Sequence, residues 1–374
     1  MVDVTPFLPG LSPIQGKAVV ARFDGGRLSS EGGLLALREI ERRLAIADRF
    51  AACLKDPRMP EKVVHRVAEI IRFRMLMIAA GYEDGNDADT LRSDPMFKLA
   101  LDRLPSGEDL SSQSTISRLE NLPDMRALLR LGRALVEQYC GSFRAVPKRI
   151  VLDIDDTFDR VHGSQQLRLF NAYHDDYGFQ PIVVFDGEGR FVSALLRPGK
   201  RPSGVEGRAL CAAWSAPSGP IGPRSISCCA PTVIMRPRKC WTGVGRARFD
   251  WIFGLAPNVA LRRQVGIGEK QGRTLQAVAD PRKQRRFTQF YDAAGSWGRL
   301  ERIIAHVEAG PRGAPTQGGR ARPFYGRLHC PAARPRTTSR GGRNRLAADP
   351  TSCHAAEANP SRLVLHAGAY WLLW

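Results

Sequence analysis

The stretch Arg149-Ile-Val-Leu-Asp-Ile-Asp-Asp-Thr157 decides how the chain is read. Before it, apolar residues recur at helical spacing; from it onward they come in short runs of the β type. The stretch itself is an apolar run that closes on acids, as a buried strand does where it leaves a sheet. Asp153 and Asp155 stand two apart and so face one side of a strand, where their carboxylates can share a hard divalent cation that takes oxygen ligands. The plainer reading of the same residues is an acidic strand end that only solvates and caps.

Working outward toward the N-terminus, Ser29-Ser-Glu-Gly-Gly precedes Leu34, Leu35, Leu37, Ile40 and Leu44 at helical spacing. Pro60 is a favourable first helical position and predicts a second helix carrying Val63, Val64, Val67, Ile70 and Ile71 inward. Residues 83–89 form a polar loop, 111–120 a capped short helix, and Pro123 opens another helix through Tyr139. Toward the C-terminus, residues 180–196 read as a hairpin with a glycine-rich turn at 187–189. Strand-like segments return near 249–255, 287–291 and 303–307, and a last amphipathic helix covers about 360–371. The expected class is α/β, with an all-α N-terminal domain over 1–145 and a second domain over 146–374.

The 374 residues contain no apolar run of transmembrane length. The nearest, Met75-Leu-Met-Ile-Ala-Ala80, sits between Arg74 and Glu83. The first residues lack the basic-then-apolar order of a signal peptide, and eight unevenly placed cysteines do not make a secreted disulfide framework. A cytoplasmic protein is expected, with no membrane partner.

The net charge of +19 invites a nucleic-acid partner, because clustered Lys and Arg neutralise phosphates. Its distribution weakens that inference. Residues 1–205 hold 29 basic and 28 acidic residues, whereas 208–245 holds five basic and 310–345 nine, neither window with an acid. Those windows supply 14 of the 19 charges. The second also holds five Pro and seven Gly, and the first pairs Cys228 with Cys229, a spacing unsuited to a tetrahedral zinc site. Both windows are expected to be disordered.

Two family resemblances meet at the acidic stretch. Asp153, Asp155 and Thr157 match the opening motif of haloacid-dehalogenase-type phosphatases, with Asp153 as nucleophile and Asp155 as acid/base; no late acid pair after Asp186 completes it. The second resemblance is longer. Leu28-Ser-Ser-Glu-Gly-Gly-Leu-Leu, Ala80-Gly-Tyr-Glu-Asp-Gly-Asn-Asp, Ser112-Gln-Ser-Thr-Ile-Ser-Arg, Val151-Leu-Asp-Ile-Asp-Asp-Thr, Val161-His-Gly-Ser-Gln-Gln, Ala194-Leu-Leu-Arg-Pro-Gly and Leu365-His-Ala-Gly-Ala-Tyr-Trp-Leu resemble, in order, the DDE transposases of the insertion-sequence 1380 family. That resemblance implies a ribonuclease-H-like core and two Mg²⁺ ions held by three acids. As partners it implies DNA, namely the terminal inverted repeats of the chain's own element, with a homodimer allowed, and as location the cytoplasm in association with the nucleoid. Asp155, which matches the family's Asp-x-Thr step, is the implied catalytic and metal-binding acid, helped by Asp153; Asp156 stands where the family has a small residue. His162 and Gln165 lie near the site by the same resemblance, His162 as a structural loop residue. Ser112–Arg118 is similar to the second helix of a helix-turn-helix, with Gln113 and Arg118 as the residues that read DNA; a helix that simply packs is the competing reading.

The resemblance breaks at the two acid-free windows, where the family's second and third acids belong. Codons available for Cys228–Arg236, read from each third base, spell Leu-Arg-Ala-Asp-Ser-His-Tyr-Ala, the expected second-acid block, with its Asp codon straddling Pro231 and Thr232. The same offset over Pro331–Arg343 gives Arg-Gly-Gln-Ala-Glu-Asn-His-Ile-Lys-Arg-Trp-Lys, with a Glu codon straddling Pro335 and Arg336. Two compensated frameshifts in a GC-rich gene follow. The expected product is a transposase whose core is incomplete, whose metal site is not fully formed and whose strand-cleaving activity is lost, or a DNA-binding remnant without catalysis.

Overall fold

A computed structural model describes residues 10–20, 29–145, 150–200, 284–293, 300–309 and 353–374, with short strands at 226–230, 251–253 and 324–325 and the single positions 147, 259 and 263. The N-terminal part is helical: α1 (Leu34–Leu44), α2 (Ile46–Ala52), α3 (Val67–Ala79), α4 (Ala88–Leu91), α5 (Pro95–Ala100), α6 (Gln113–Glu120) and α7 (Met125–Gly141). Local chemistry sets their ends. Asp94 accepts from the amides of Met96 and Phe97 with Pro95 in the first turn, and Asp124 accepts from Ala127 at 2.7 Å. α6 is capped from outside: its first amide, Gln113, donates to Asp89 Oδ1 at 2.9 Å, while the Ser112 side chain makes no capping bond. Pro60 opens only a 3₁₀ turn, Pro60–Lys62, because Val63 is extended; the long helix starts at Val67, and Val64 is exposed.

The chain then turns to strands: β1 (Ile150–Asp156), β2 (Asp159–Arg160), β3 (Leu169–Asn171), β4 (Asp176–Phe179), β5 (Ile182–Asp186), β6 (Phe191–Leu195), β7 (Ile226–Ala230), β8 (Trp251–Phe253), β9 (Gln284–Asp292), β10 (Glu301–Ala309) and β11 (Phe324–Tyr325). The last helix, α8, covers Ala358–Leu373. Five strands form one sheet in the order β6-β5-β1-β7-β8. β5 runs antiparallel to β1, and β6 antiparallel to β5; β7 runs parallel to β1, and β8 parallel to β7. Two three-stranded sheets, β2-β4-β3 and β11-β10-β9, complete the described strands. The α/β class is thus observed. β7 and β11 fall inside the two acid-free windows, whose remaining residues lie outside the described ones.

One face of β1 presents Ile150, Leu152 and Ile154 to a core shared with Ile182, Val184 and Phe191, with Leu131, Leu135 and Tyr139 of α7, and with Leu365, Trp371 and Leu372 of α8. The core continues without a break into α2 and α3 through Phe50, Phe73, Met75 and Leu76. α8 lies against α3 so closely that a Cβ at Gly368 would stand 2.6 Å from Met75 Sδ and 3.0 Å from the Phe50 ring. Charge is buried at the same junction. Arg74 Nε donates to Glu120 Oε1 at 3.1 Å, and Arg362 of α8 approaches Glu120 Oε2 at 3.7 Å. The Arg74 guanidinium also donates to the carbonyls of Tyr82 (3.1 Å) and Glu83 (2.6 Å), holding the Gly81-Tyr-Glu83 turn against α3. One carboxylate between two guanidiniums, with backbone carbonyls taking the remaining donors, is what makes this burial tolerable.

Candidate functional site

β1 delivers the acids. Along it burial alternates: Leu152 and Ile154 are buried, while Val151, Asp153 and Asp155 are half-exposed on the opposite face. Asp153 and Asp155 therefore share one side of the sheet, as their two-residue spacing requires. Each stands beside a defined neighbour. Asp155 pairs with Val183 of β5, and Asp153 with Cys229 of β7. Asp155 also turns one oxygen back to accept from the Asp156 amide at 3.0 Å.

Asp156 has a different environment. It accepts a hydrogen bond from Gln180 Nε2, and Gln180 Oε1 in turn accepts from Asn171 Nδ2 at 3.0 Å. Asn171 also donates to the Gly199 carbonyl at 2.7 Å, and Arg197 Nη1 donates to the carbonyls of Gln180 (3.5 Å) and Lys200 (3.2 Å). Burial pushes the Asp156 carboxyl up to about 6, against the Gln180 hydrogen bond and with the help of the Asp155 charge. A carboxyl so engaged is a structural anchor and a poor cation ligand, although all three acids are half-buried. The hydrogen-bonded chain Asp156–Gln180–Asn171 is not visible in the sequence, since its bonded members lie 24 and 9 residues apart with no periodicity linking them. The one local signal is Arg197-Pro-Gly199. At Gly199 the backbone passes so near β3 and β4 that a Cβ would collide with the carbonyl oxygens of Gly178 and Leu169.

Other expected site residues are placed as follows. His162 is exposed, and Gln165 accepts from the Gly163 amide at 3.2 Å within its own turn. Its neighbour Gln166 makes the long-range contact: its amide donates to the His354 carbonyl at 2.9 Å, and its Oε1 accepts from Ala356 at 3.2 Å. That ties the β2–β3 connection to the start of α8. On α6, Arg118 is exposed and Gln113 half-buried. Five positions apart, they stand about 140° apart around the helix. Positions 231–232 and 335–336, where displaced acid codons are expected, lie outside the described residues.

Two oxygen-bearing side chains on one strand face have the right chemistry for Mg²⁺, but among the described residues no third His, Cys, Asp or Glu joins them in a group that could hold a metal ion. The described residues therefore do not make a complete divalent-metal site. Among the described residues, too, no helix is long and apolar enough to cross a membrane.

Comparison with known proteins adds the family. No curated protein and no solved structure matches the chain. A family model described as transposase DDE domain group 1 matches residues 11–374, almost the entire chain, including both acid-free windows. The chain belongs to the DDE transposase family of domain group 1, whose activity is DNA transposition.

Proposed function

We propose that this chain is a DDE transposase of the insertion-sequence 1380 type, made from a gene with two compensated frameshifts, that recognises the inverted repeats of its element but does not cut them. The observation that carries the reading is the position of β7. It pairs parallel to β1 beside the acids and ends at Ala230, one residue before Pro231, where the displaced Asp codon begins. The β1–β7 register offsets the two strands by 76 positions (Ile150 with Ile226). In a chain read in frame, that offset would carry an Asp to the side of Asp155. The present sequence has Pro and Thr there.

The sheet supports a ribonuclease-H-like core: three antiparallel strands β6-β5-β1 followed by two parallel ones, with acids at the end of the central strand. Asp155, with Asp153, is the remaining part of the metal site. Alone they bind Mg²⁺ weakly, since that ion dehydrates reluctantly and needs several oxygen ligands held in octahedral geometry. We read residues 1–145 as the part that recognises DNA ends, with Arg118 the better presented of the two proposed contacts. The homodimer and the nucleoid-associated cytoplasmic location belong to the same proposal.

Sequencing the coding DNA tests the reading. Codons at Pro231–Thr232 and Pro335–Arg336 are expected to contain GAC and GAG in the displaced frame. Bases incompatible with those triplets would remove the frameshift argument.

A further inference from the structure

We infer that the β3–β4 hairpin beside the acidic strand end is a stacking platform for unpaired bases of a nucleic-acid strand. The inference rests on reading the β1 end as the place where this chain meets DNA, and adds what grips the strand there. Phe158 follows Asp155 by three positions, about 10 Å of extended chain. Its ring lies over Gly178, where a Cβ would come within 2.6 Å of it, and the His174 imidazole stacks on it with centroids 4.3 Å apart and planes inclined by 6°. Tyr173 meets His174 edge-on at 4.9 Å and is itself 90% exposed. On the other side of the hairpin Phe170 and Tyr177, cross-strand partners, have ring centroids 5.4 Å apart, and the Arg168 guanidinium sits 5.0 Å from the Tyr177 centroid. Phe170 and Tyr177 are each about half exposed.

Exposed rings in such number call for a partner. The centre of a protein interface is depleted of charge. Here Arg160, Arg168, Asp175 and Asp176 interleave with the rings over a few residues, Arg160 being paired with Asp176 at 2.6 Å so that Arg168 is the cation left among the rings. Flat rings flanked by guanidinium and imidazole suit bases, which stack on aromatic faces irrespective of sequence and gain from nearby arginine. A base in a duplex is already stacked on both sides, so the ligand is an unpaired strand. Hydrogen bonds fix the hairpin in place, since Asn171 is locked to Gln180 and Gly199, and Val161 donates to the Tyr177 carbonyl at 3.1 Å.

The test uses the full chain, fluorescence anisotropy, a labelled oligothymidylate and a labelled blunt duplex of mixed sequence. The wild-type chain is expected to bind both. Phe170→Ala with Tyr173→Ala is expected to weaken oligothymidylate binding at least about fivefold, leaving duplex affinity and the thermal transition unchanged; Tyr173→Trp is expected to retain binding. Equal affinity of the double variant and wild type for oligothymidylate overturns the inference, as does a parallel loss on both probes. A change of oligomeric state with single-strand binding intact would make the hairpin a protein contact and overturn it too. Duplex binding without oligothymidylate binding by the wild type removes the platform and spares the transposase reading. Binding to neither removes both.

Discussion

His366 shows what one residue in this fold carries. It lies on α8 in the motif Leu365-His-Ala-Gly, donates through Nδ1 to the Arg362 carbonyl at 2.8 Å, and has its Nε2 buried with no hydrogen-bond partner. Burial pushes its pKa down to about 3, and the charges of Arg74 and Arg362 act in the same direction. The folded state thus requires neutral imidazole, whereas the unfolded chain protonates near the ordinary value of 6.5. The contribution of neutral His366 is full above that value and is lost as pH falls from it toward 3, at up to about 1.4 kcal/mol per pH unit. Denaturant midpoints of wild type and His366→Gln, compared from about pH 7 to about pH 5, are expected to converge as the pH drops; a constant gap would show that His366 is not the titrating group. None of this could be read from the sequence, where His366 is one of seven histidines. Its character comes first from burial in the folded core, to which the charges of two arginines add, one of them almost 300 positions away. Asp156 makes the same point at the site. The spacing of Asp153 and Asp155 predicts their shared face, but only the fold separates them from an adjacent acid that is tied into Gln180.

At the level of elements, helix–helix contact depends on close approach at particular positions. Gly368 of α8 faces Met75 and Phe50, so Gly368→Val is expected to cost about 1–3 kcal/mol by overpacking. At Gly132 on α7 a Cβ would meet nothing within 4 Å, so Gly132→Ala should instead stabilise by about 0.4–1 kcal/mol. Chemical denaturation of the two variants checks both signs. Elements whose signals are local were legible: the 180–196 hairpin turns on Asp186, whose side chain accepts from the amides of Glu188 and Arg190, and appears as β5 and β6. α7 and α8 follow their apolar spacing to within a few residues. The helix expected from Pro60 fails for a physical reason. Val63 takes an extended backbone after one 3₁₀ turn, and Arg66 is extended as well, so the helix is nucleated only at Val67. Nothing in the sequence alone announces that break. Likewise the cap of α6 comes from Asp89, 24 positions upstream, and not from its own serine.

For the whole molecule, the two ends of the chain are one packing unit: α8 seals the core formed by α2, α3 and α7 and also meets β6. The acid-free windows, by contrast, are rich in arginine. Brief trypsin treatment is expected to cut first between residues 206 and 345, with the C-terminal peptide bearing α8 remaining bound to the N-terminal fragment through a gel filtration step. Loss of that peptide would contradict the packing of α8 on α3. The charge of +19 is then a poor guide to function, because 14 of its 19 units sit in the windows read as out of frame. The DDE transposase family and the α/β class were legible from ordered motifs, whereas the second and third acids expected from the resemblance fall at positions outside the described residues. The most direct measurement is strand nicking in Mg²⁺ on a duplex carrying the element's terminal inverted repeat, with the present chain, a frame-restored chain, and each with Asp155→Ala. The expected result is no nicking by the present chain, nicking by the restored chain, and its abolition by Asp155→Ala. Nicking by the present chain that Asp155→Ala abolishes would contradict the account.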